Sequence, residues 1–263
     1  MKRRMLSAIL IVALLGALML PAYAQEGPDI ANVTVNGEMA DYIAEVYGGT
    51  AYIPFYHAVL SLRPDAQVTW ENGAFYAQAE DFTMTARVGD AYVVINDRYL
   101  YVAGGVKGWA DGTALVPARV LATALGAWVD WSGQVELCSG GTPLTAEGRP
   151  YDDATLDLLA RVITHESGSQ PLEGKMAVGN VILNRVNAPG FGSTVAEVVY
   201  SPNQFPGATN KSPNAQSILA ARLVLEGANV VPDALYFNGV GKSCWASKYK
   251  RFICNIGGHS FYG

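Results

Sequence analysis

The sequence predicts an α+β protein in two parts: a β-rich, duplicated N-terminal domain, then a helix-rich C-terminal domain with a small β-sheet. Three observations carry this. Short apolar segments bounded by Gly, Asn and Pro run from Val33 to Leu137. Within them Gly49-Thr50-Ala51-Tyr52-Ile53-Pro54 recurs as Gly112-Thr113-Ala114-Leu115-Val116-Pro117, a period of roughly sixty residues. From Asp153 onward the apolar residues fall instead at helical spacing.

The elements follow in chain order. Met1-Lys2-Arg3-Arg4, an apolar run from Met5 to Leu20 and Pro21-Ala22-Tyr23-Ala24 have the basic start, apolar centre and Ala-x-Ala end of a secretory signal peptide. Residues 1–24 are expected to be removed, leaving a secreted protein at the bacterial cell wall or spore envelope. The run is short for a membrane span, which needs about 20 apolar residues, and no later stretch is apolar enough to cross a bilayer. Residues 25 to about 31 read as a short linker.

In the N-terminal domain, residues 31–138, each repeat predicts a strand, a short helix (Phe55 to Leu62; Ala118 to Leu125) and a strand ending in Trp70 or Trp131. Alternation in Ala91–Ile95 and Tyr99–Val102 adds strands between the copies. Residues 139–152 have the Ser, Gly and Pro content of a linker. The C-terminal domain, residues 153–263, is expected to hold helices over Asp153–His165, Leu172–Val186 and Thr194–Tyr200. A fourth is capped by Ser212 and closed by Gly227. Short strands are predicted at Ala234–Phe237, Phe252–Cys254 and Ser260–Tyr262.

A net charge of −5 disfavours nucleic acid as the main partner, because phosphate binding needs surplus Lys and Arg. A sugar polymer, read by hydrogen bonds and aromatic faces, stays open. The histidines are His57, His165 and His259. They form no zinc-ligand pattern, and Ser169 stands where a zincin needs its second histidine. No phosphate loop or Gly-x-Ser-x-Gly elbow is present. No metal or cofactor is expected. Export permits disulfides. Cys244 and Cys254 lie close in a strand-turn-strand stretch and are expected to bridge, leaving Cys138 over.

The residue that points to chemistry is Glu166. It lies three, four and seven residues past Ile163, Val162 and Leu159, so it continues the apolar stripe of its helix. Desolvation there raises a carboxyl pKa, and the negative helix end pushes the same way. A carboxyl held protonated in a cleft is what glycosidic cleavage requires, because the leaving oxygen must receive a proton. The plainer role is a carboxylate paired with Arg or capped by amides. Asn180 and Asn184, four apart on the next helix, could face the cleft together. Tyr236, Phe237 and Trp245 could stack on sugar rings. Core packing is the plainer role for most N-terminal tryptophans and tyrosines.

The run Leu158 to Gly168, then Glu173 to Val186, resembles the SleB-type spore cortex-lytic cell wall hydrolase family. So do Pro189-Gly190-Phe191, Val198 to Phe205, Ala234 to Phe237 and Ile256 to Phe261. That resemblance covers residues 155–263. It implies a lysozyme-like fold, a catalytic glutamate at Glu166, and the Gln-Phe motif at Gln204 and Phe205, followed here by Pro206-Gly207. His259 is a structural or substrate-contact histidine in this reading. Family members act on peptidoglycan glycan strands, often spore cortex, by lytic transglycosylation. Such an enzyme needs one carboxylate, whereas a hydrolase would draw a second from Glu173, Glu197, Glu226 or Asp233. Residues 31–138 resemble the copper amine oxidase-like N-terminal domain, a stalk or wall-attachment module; His57 alone cannot hold copper. The rival expectations are a non-catalytic wall-binding protein that keeps the fold, and a cysteine peptidase or amidase using Cys244 or Cys254 with His259.

Overall fold

Asn36 and Gly37 both take positive φ and close a hairpin between β1 (Asp29–Val35) and β2 (Glu38–Tyr47). This is the turn that an Asn-Gly pair favours, because its backbone twist matches the flanking strands. The computed structural model describes residues 27–263; the expected signal peptide lies outside them. The first repeat gives β3 (Thr50–Pro54), α1 (Phe55–Leu62) and β4 (Gln67–Glu71). A meander follows: β5 (Ala74–Gln78), β6 (Thr83–Arg87), β7 (Tyr92–Ile95) and β8 (Arg98–Tyr101). After β9 (Lys107–Gly108), the second repeat gives β10 (Ala114–Pro117), α2 (Ala118–Leu125) and β11 (Trp128–Trp131), and β12 (Val135–Cys138) ends the domain.

The repeats fold alike through the helix and then diverge. β3 and β10 pair antiparallel, with Val116 opposite Ile53, towards one edge of a seven-stranded sheet ordered β11-β12-β1-β2-β3-β10-β9. β11 returns to that sheet, whereas β4 opens a separate sheet, β4-β5-β6-β7-β8. Ile53, Phe55, Val59, Leu115 and Leu121 from both copies share one buried core. The tryptophans depart from expectation. Trp70, Trp128 and Trp131 are more than half exposed. Trp109 is partly buried, its Nε1 donating to Glu45 at 2.8 Å.

The stretch after β12 is not a loose tether. Gly141 N donates to Gly126 O, Leu144 N to Ala124 O, and Asn96 Nδ2 to Leu144 O. Gly126 caps α2 at φ 69, and a Cβ there would run into the Thr142 backbone.

Asp152 then caps α3 (Asp153–Ser167), accepting from Thr155 N at 2.7 Å. Next come α4 (Leu172–Val186), α5 (Val195–Tyr200) and, after a 3₁₀ turn at Ala208–Asn210, α6 (Ala215–Leu225). The α6 cap is Asn214 rather than Ser212, its side chain accepting from Ser217 N. A three-stranded sheet, β13-β15-β14, ends the chain: β13 (Tyr236–Gly239), β14 (Phe252–Ile256) and β15 (His259–Tyr262), with α7 (Trp245–Tyr249) between the first two. The helix α4 is the axis of this domain. One side meets α3 and α6, where Gly179 lets Ile163 and Val224 approach closely. The other buries Ala177, Val178 and Val181 against Phe261 and Val231. No helix among the described residues is long and apolar enough to cross a membrane.

The domains are locked together along α6 and β8. Arg98 grips Glu226 with two bonds of 2.6 Å, the side chains only 8% and 2% exposed. Arg222 reaches Asp97 at 2.6 Å and lies over the Tyr99 ring. Tyr92, Tyr99 and Tyr101 pack on the C-terminal core.

Candidate active site

Leu156, Leu159 and Ile163 fix which face of α3 is buried, and Glu166 extends that face at the last turn. There it meets a cleft of about 270 Å³ rather than more core. Arg185 comes to this cleft from α4, Gln204 and Phe205 from the loop after α5, Phe237, Asn238 and Gly239 from β13, and His259 from β15. The loop after Glu166 is pinned to the turn before His259, because Gln170 Oε1 accepts from Gly258 N at 2.6 Å. Gly168 is needed at the bend, where a Cβ would collide with the Thr164 carbonyl.

The Glu166 side chain is 25% exposed. Burial pushes its carboxyl above the ordinary range; His165, with Nε2 3.9 Å from Oε1, opposes this. Among the described residues it has no Lys or Arg within 4 Å, so the ion-paired role does not hold. His259 sits edge-on to Phe237, ring centroids 5.4 Å apart, with its buried Nδ1 unpartnered. Burial holds its pKa below the usual value, so the ring is neutral at neutral pH.

Among the described residues, no second carboxylate lines the cleft. Glu173 is exposed on the first turn of α4. Glu197 accepts from Ser193 N and Oγ at 2.7 and 2.9 Å. Glu226 is the domain lock, and Asp233 pairs with Arg251 at 3.3 Å.

Three expectations are corrected. Asn180 and Asn184 do not line the cleft. Asn180 donates to Ala228 O and accepts from Val230 N; Asn184 donates to Val231 O and Ala234 O. Both spend their amides on the segment before β13, whose backbone groups would otherwise be buried without partners, and Asn184 Oδ1 also accepts from Asn229 Nδ2. Tyr236 stands behind the wall, packed between Phe191 and Trp245. The bridge between Cys244 and Cys254 is not formed. Cys244 Sγ caps α7, accepting from Ser247 N, while Cys254 sits in β14 opposite Phe261; Cys138 is free as well. Gln204, Phe205 and His259 do converge with Glu166.

Sequence reasoning missed Arg185 and Asn238. Arg185 had a signal, as one of two cations, with Lys175, on a helix whose Ala177, Val178, Val181 and Ile182 are all buried. Asn238 had none, since only the path of β13 brings it to Glu166.

Comparison with known proteins divides the chain at the same place. Residues 31–139 match the copper amine oxidase N-terminal domain family. Residues 169–262 match the Cell Wall Hydrolase family, a span that includes Arg185, Gln204 and His259 and opens just after Glu166. The spore cortex-lytic enzyme of Oceanobacillus iheyensis is 31% identical over 103 residues, which is 38% of this chain and 37% of that protein. A spore cortex-lytic enzyme of Bacillus cereus is 30% identical over 119 residues, 42% of this chain and 45% of that protein. The chain thus matches under half the length of these relatives. Among solved structures, the catalytic domain of the germination-specific lytic transglycosylase SleB from Bacillus anthracis is 27% identical. It covers 43% of this chain and 97% of its own, with a TM-score of 0.40.

Proposed function

We propose that this chain, which carries a cell wall hydrolase domain behind a copper amine oxidase N-terminal domain, cleaves the glycan strand of peptidoglycan as an exported lytic transglycosylase. The observation that carries this reading is the single carboxyl in the cleft, Glu166, held above its ordinary pKa by burial. Protonated, it donates to the glycosidic oxygen as the bond from muramic acid to glucosamine breaks. The resulting carboxylate then takes the proton of the muramic 6-hydroxyl as that oxygen closes on the anomeric carbon. The proton count returns to its start, and the product ends in anhydro-muramic acid. A water-using hydrolase needs a second carboxylate about 5 to 9.5 Å from the first, and none other than Glu166 lines the cleft among the described residues.

Gln204, Asn238 and His259 offer polar edges to the sugar, with Phe205 and Phe237 as apolar wall. The relatives' name, spore cortex-lytic enzyme, favours spore cortex as the wall concerned. The exposed Trp70, Trp128 and Trp131 suit the N-terminal domain to holding that wall. Borohydride treatment of the digestion products decides the reaction. Anhydro ends resist reduction, and reducible ends throughout would replace this reading with hydrolysis.

A further inference from the structure

Charge is segregated along this chain. Residues 234–263 hold Lys242, Lys248, Lys250 and Arg251 and no Asp or Glu. The whole chain has a net charge of −5, so this stretch is +4 and the rest is −9. Arg251 pairs with Asp233 at 3.3 Å. Lys242 and Lys248 are exposed and meet no carboxylate within 4 Å among the described residues. Lys250 lies over the rings of Tyr236 and Trp245, 5.2 and 5.4 Å from their centroids.

The same stretch concentrates exposed apolar surface. Of the five large hydrophobic side chains exposed in the C-terminal domain, four are Val240, Trp245, Tyr249 and Phe252; the fifth is Tyr200. Trp245 and Tyr249 pack together, ring centroids 5.9 Å apart. This surface abuts the cleft. Lys242 N donates to Gly239 O at 3.0 Å, and Asn238 Nδ2 donates to Lys242 O at 3.1 Å. Asn238 and Gly239 both line the cleft that holds Glu166. The Lys242 stem lies close over Gly239, where an added Cβ would come within 3.3 Å of it. A group that leaves the cleft over the end of β13 passes these lysines.

In peptidoglycan, a muramic acid that is not closed as a lactam carries a peptide arm, amide-bonded at its lactyl group. The lactyl carboxyl is thereby spent, and the free carboxylates lie further out, on the arm. Tethered to a sugar in the cleft, they reach its rim at high effective concentration, which a separate polymer lacks.

We infer that the α7 face, with Lys242 and Lys248 as its cations, is a docking surface for the carboxylates of peptide arms on the strand beside Glu166, and that Trp245 and Tyr249 give the arm apolar support. This rests on the peptidoglycan reading above and deepens it. The surface ranks wall strands by the charge on their arms, a property that lies outside the cleft.

The test measures binding, so turnover does not enter. Full-length E166Q is titrated with soluble glycan strands that bear peptide arms, and with the same strands after every carboxyl has been converted to its methylamide. The free-acid strands are expected to bind about threefold to twentyfold tighter, since each exposed ion pair contributes up to about fivefold. That preference should vanish at about 1 M salt, where screening acts within about 3 Å. Adding K242Q/K248Q should lower the affinity for the free-acid strands to that for the methylamide. Both lysines are exposed, so these substitutions leave the core untouched. Equal affinity of E166Q for the two strands overturns the inference and leaves the peptidoglycan reading in place. A preference that K242Q/K248Q retains overturns it as well. Binding of neither strand overturns it together with the reading it rests on. Displacement of the free-acid strands by a lower concentration of poly(glycerol phosphate) would assign the surface to a phosphate polymer and overturn it too.

Discussion

Glu166 and Arg185 line one cleft from the neighbouring helices α3 and α4, yet they form no ion pair. That separation lets burial act on the carboxyl without a compensating cation. The carboxyl is held above its ordinary range, and the arginine has no acidic partner among the described residues.

The first consequence is a pH signature in stability. A carboxyl raised in the folded state contributes stability that is present below its unfolded pKa, about 4.3. That contribution is lost as pH rises through the folded pKa. E166Q cannot ionise, so it escapes this loss. Thermal melts should show E166Q gaining on wild type as pH climbs from 4 towards neutrality, then holding a constant lead. A lead that is flat across that range would show the carboxyl is not perturbed.

The same shift sets the activity profile. The acid must be protonated to act, so kcat/KM should fall on the alkaline side through a pKa above the ordinary glutamate range. A limb lying at the ordinary value would remove the burial argument.

Asn184 has a purely architectural role. N184A strands the carbonyls of Val231 and Ala234. A buried acceptor left unmet costs about 1–3 kcal/mol, so denaturant melts should show a loss of that size. Affinity for short glycans should hardly move. A variant with normal stability and lost affinity would return Asn184 to the cleft.

Several of these features were legible in the sequence and several were not. The apolar stripe from Leu156 to Ile163 placed Glu166 on a buried face, and α4 was bounded by its own Pro171 and Asn187-Ala188-Pro189. The Gly-Thr-Ala repeat predicted two strand–helix units, but not that β4 and β11 would enter different sheets, since that depends on what each strand finds to pair with. Asn180 and Asn184 have the right spacing to share a face. Spacing does not say whether the face meets solvent or unsatisfied backbone. Cys244 and Cys254 are near in sequence, but α7 intervenes and turns Cys244 into a cap.

The domain lock predicts a change in unfolding behaviour. Removing one partner of a buried ion pair strands the other and costs about 3–5 kcal/mol. E226A should therefore lower the melting point and separate the two domains into distinct calorimetric transitions. A single unshifted transition would show that the apolar contacts of Tyr92, Tyr99 and Tyr101 suffice.

The cysteines give a chemical check. Alkylation of the unreduced, denatured protein should label Cys138, Cys244 and Cys254 alike, as three free thiols. Labelling of one alone would show a bridge.

The most direct measurement is digestion of purified cortex peptidoglycan by wild type and by E166Q, with the released fragments identified by mass spectrometry. Wild type should release muropeptides ending in anhydro-muramic acid. A folded E166Q should fall at least about a hundredfold in rate, the lower end of what a positioned acid contributes. Equal release by the two proteins would contradict the assignment of Glu166 as the proton donor.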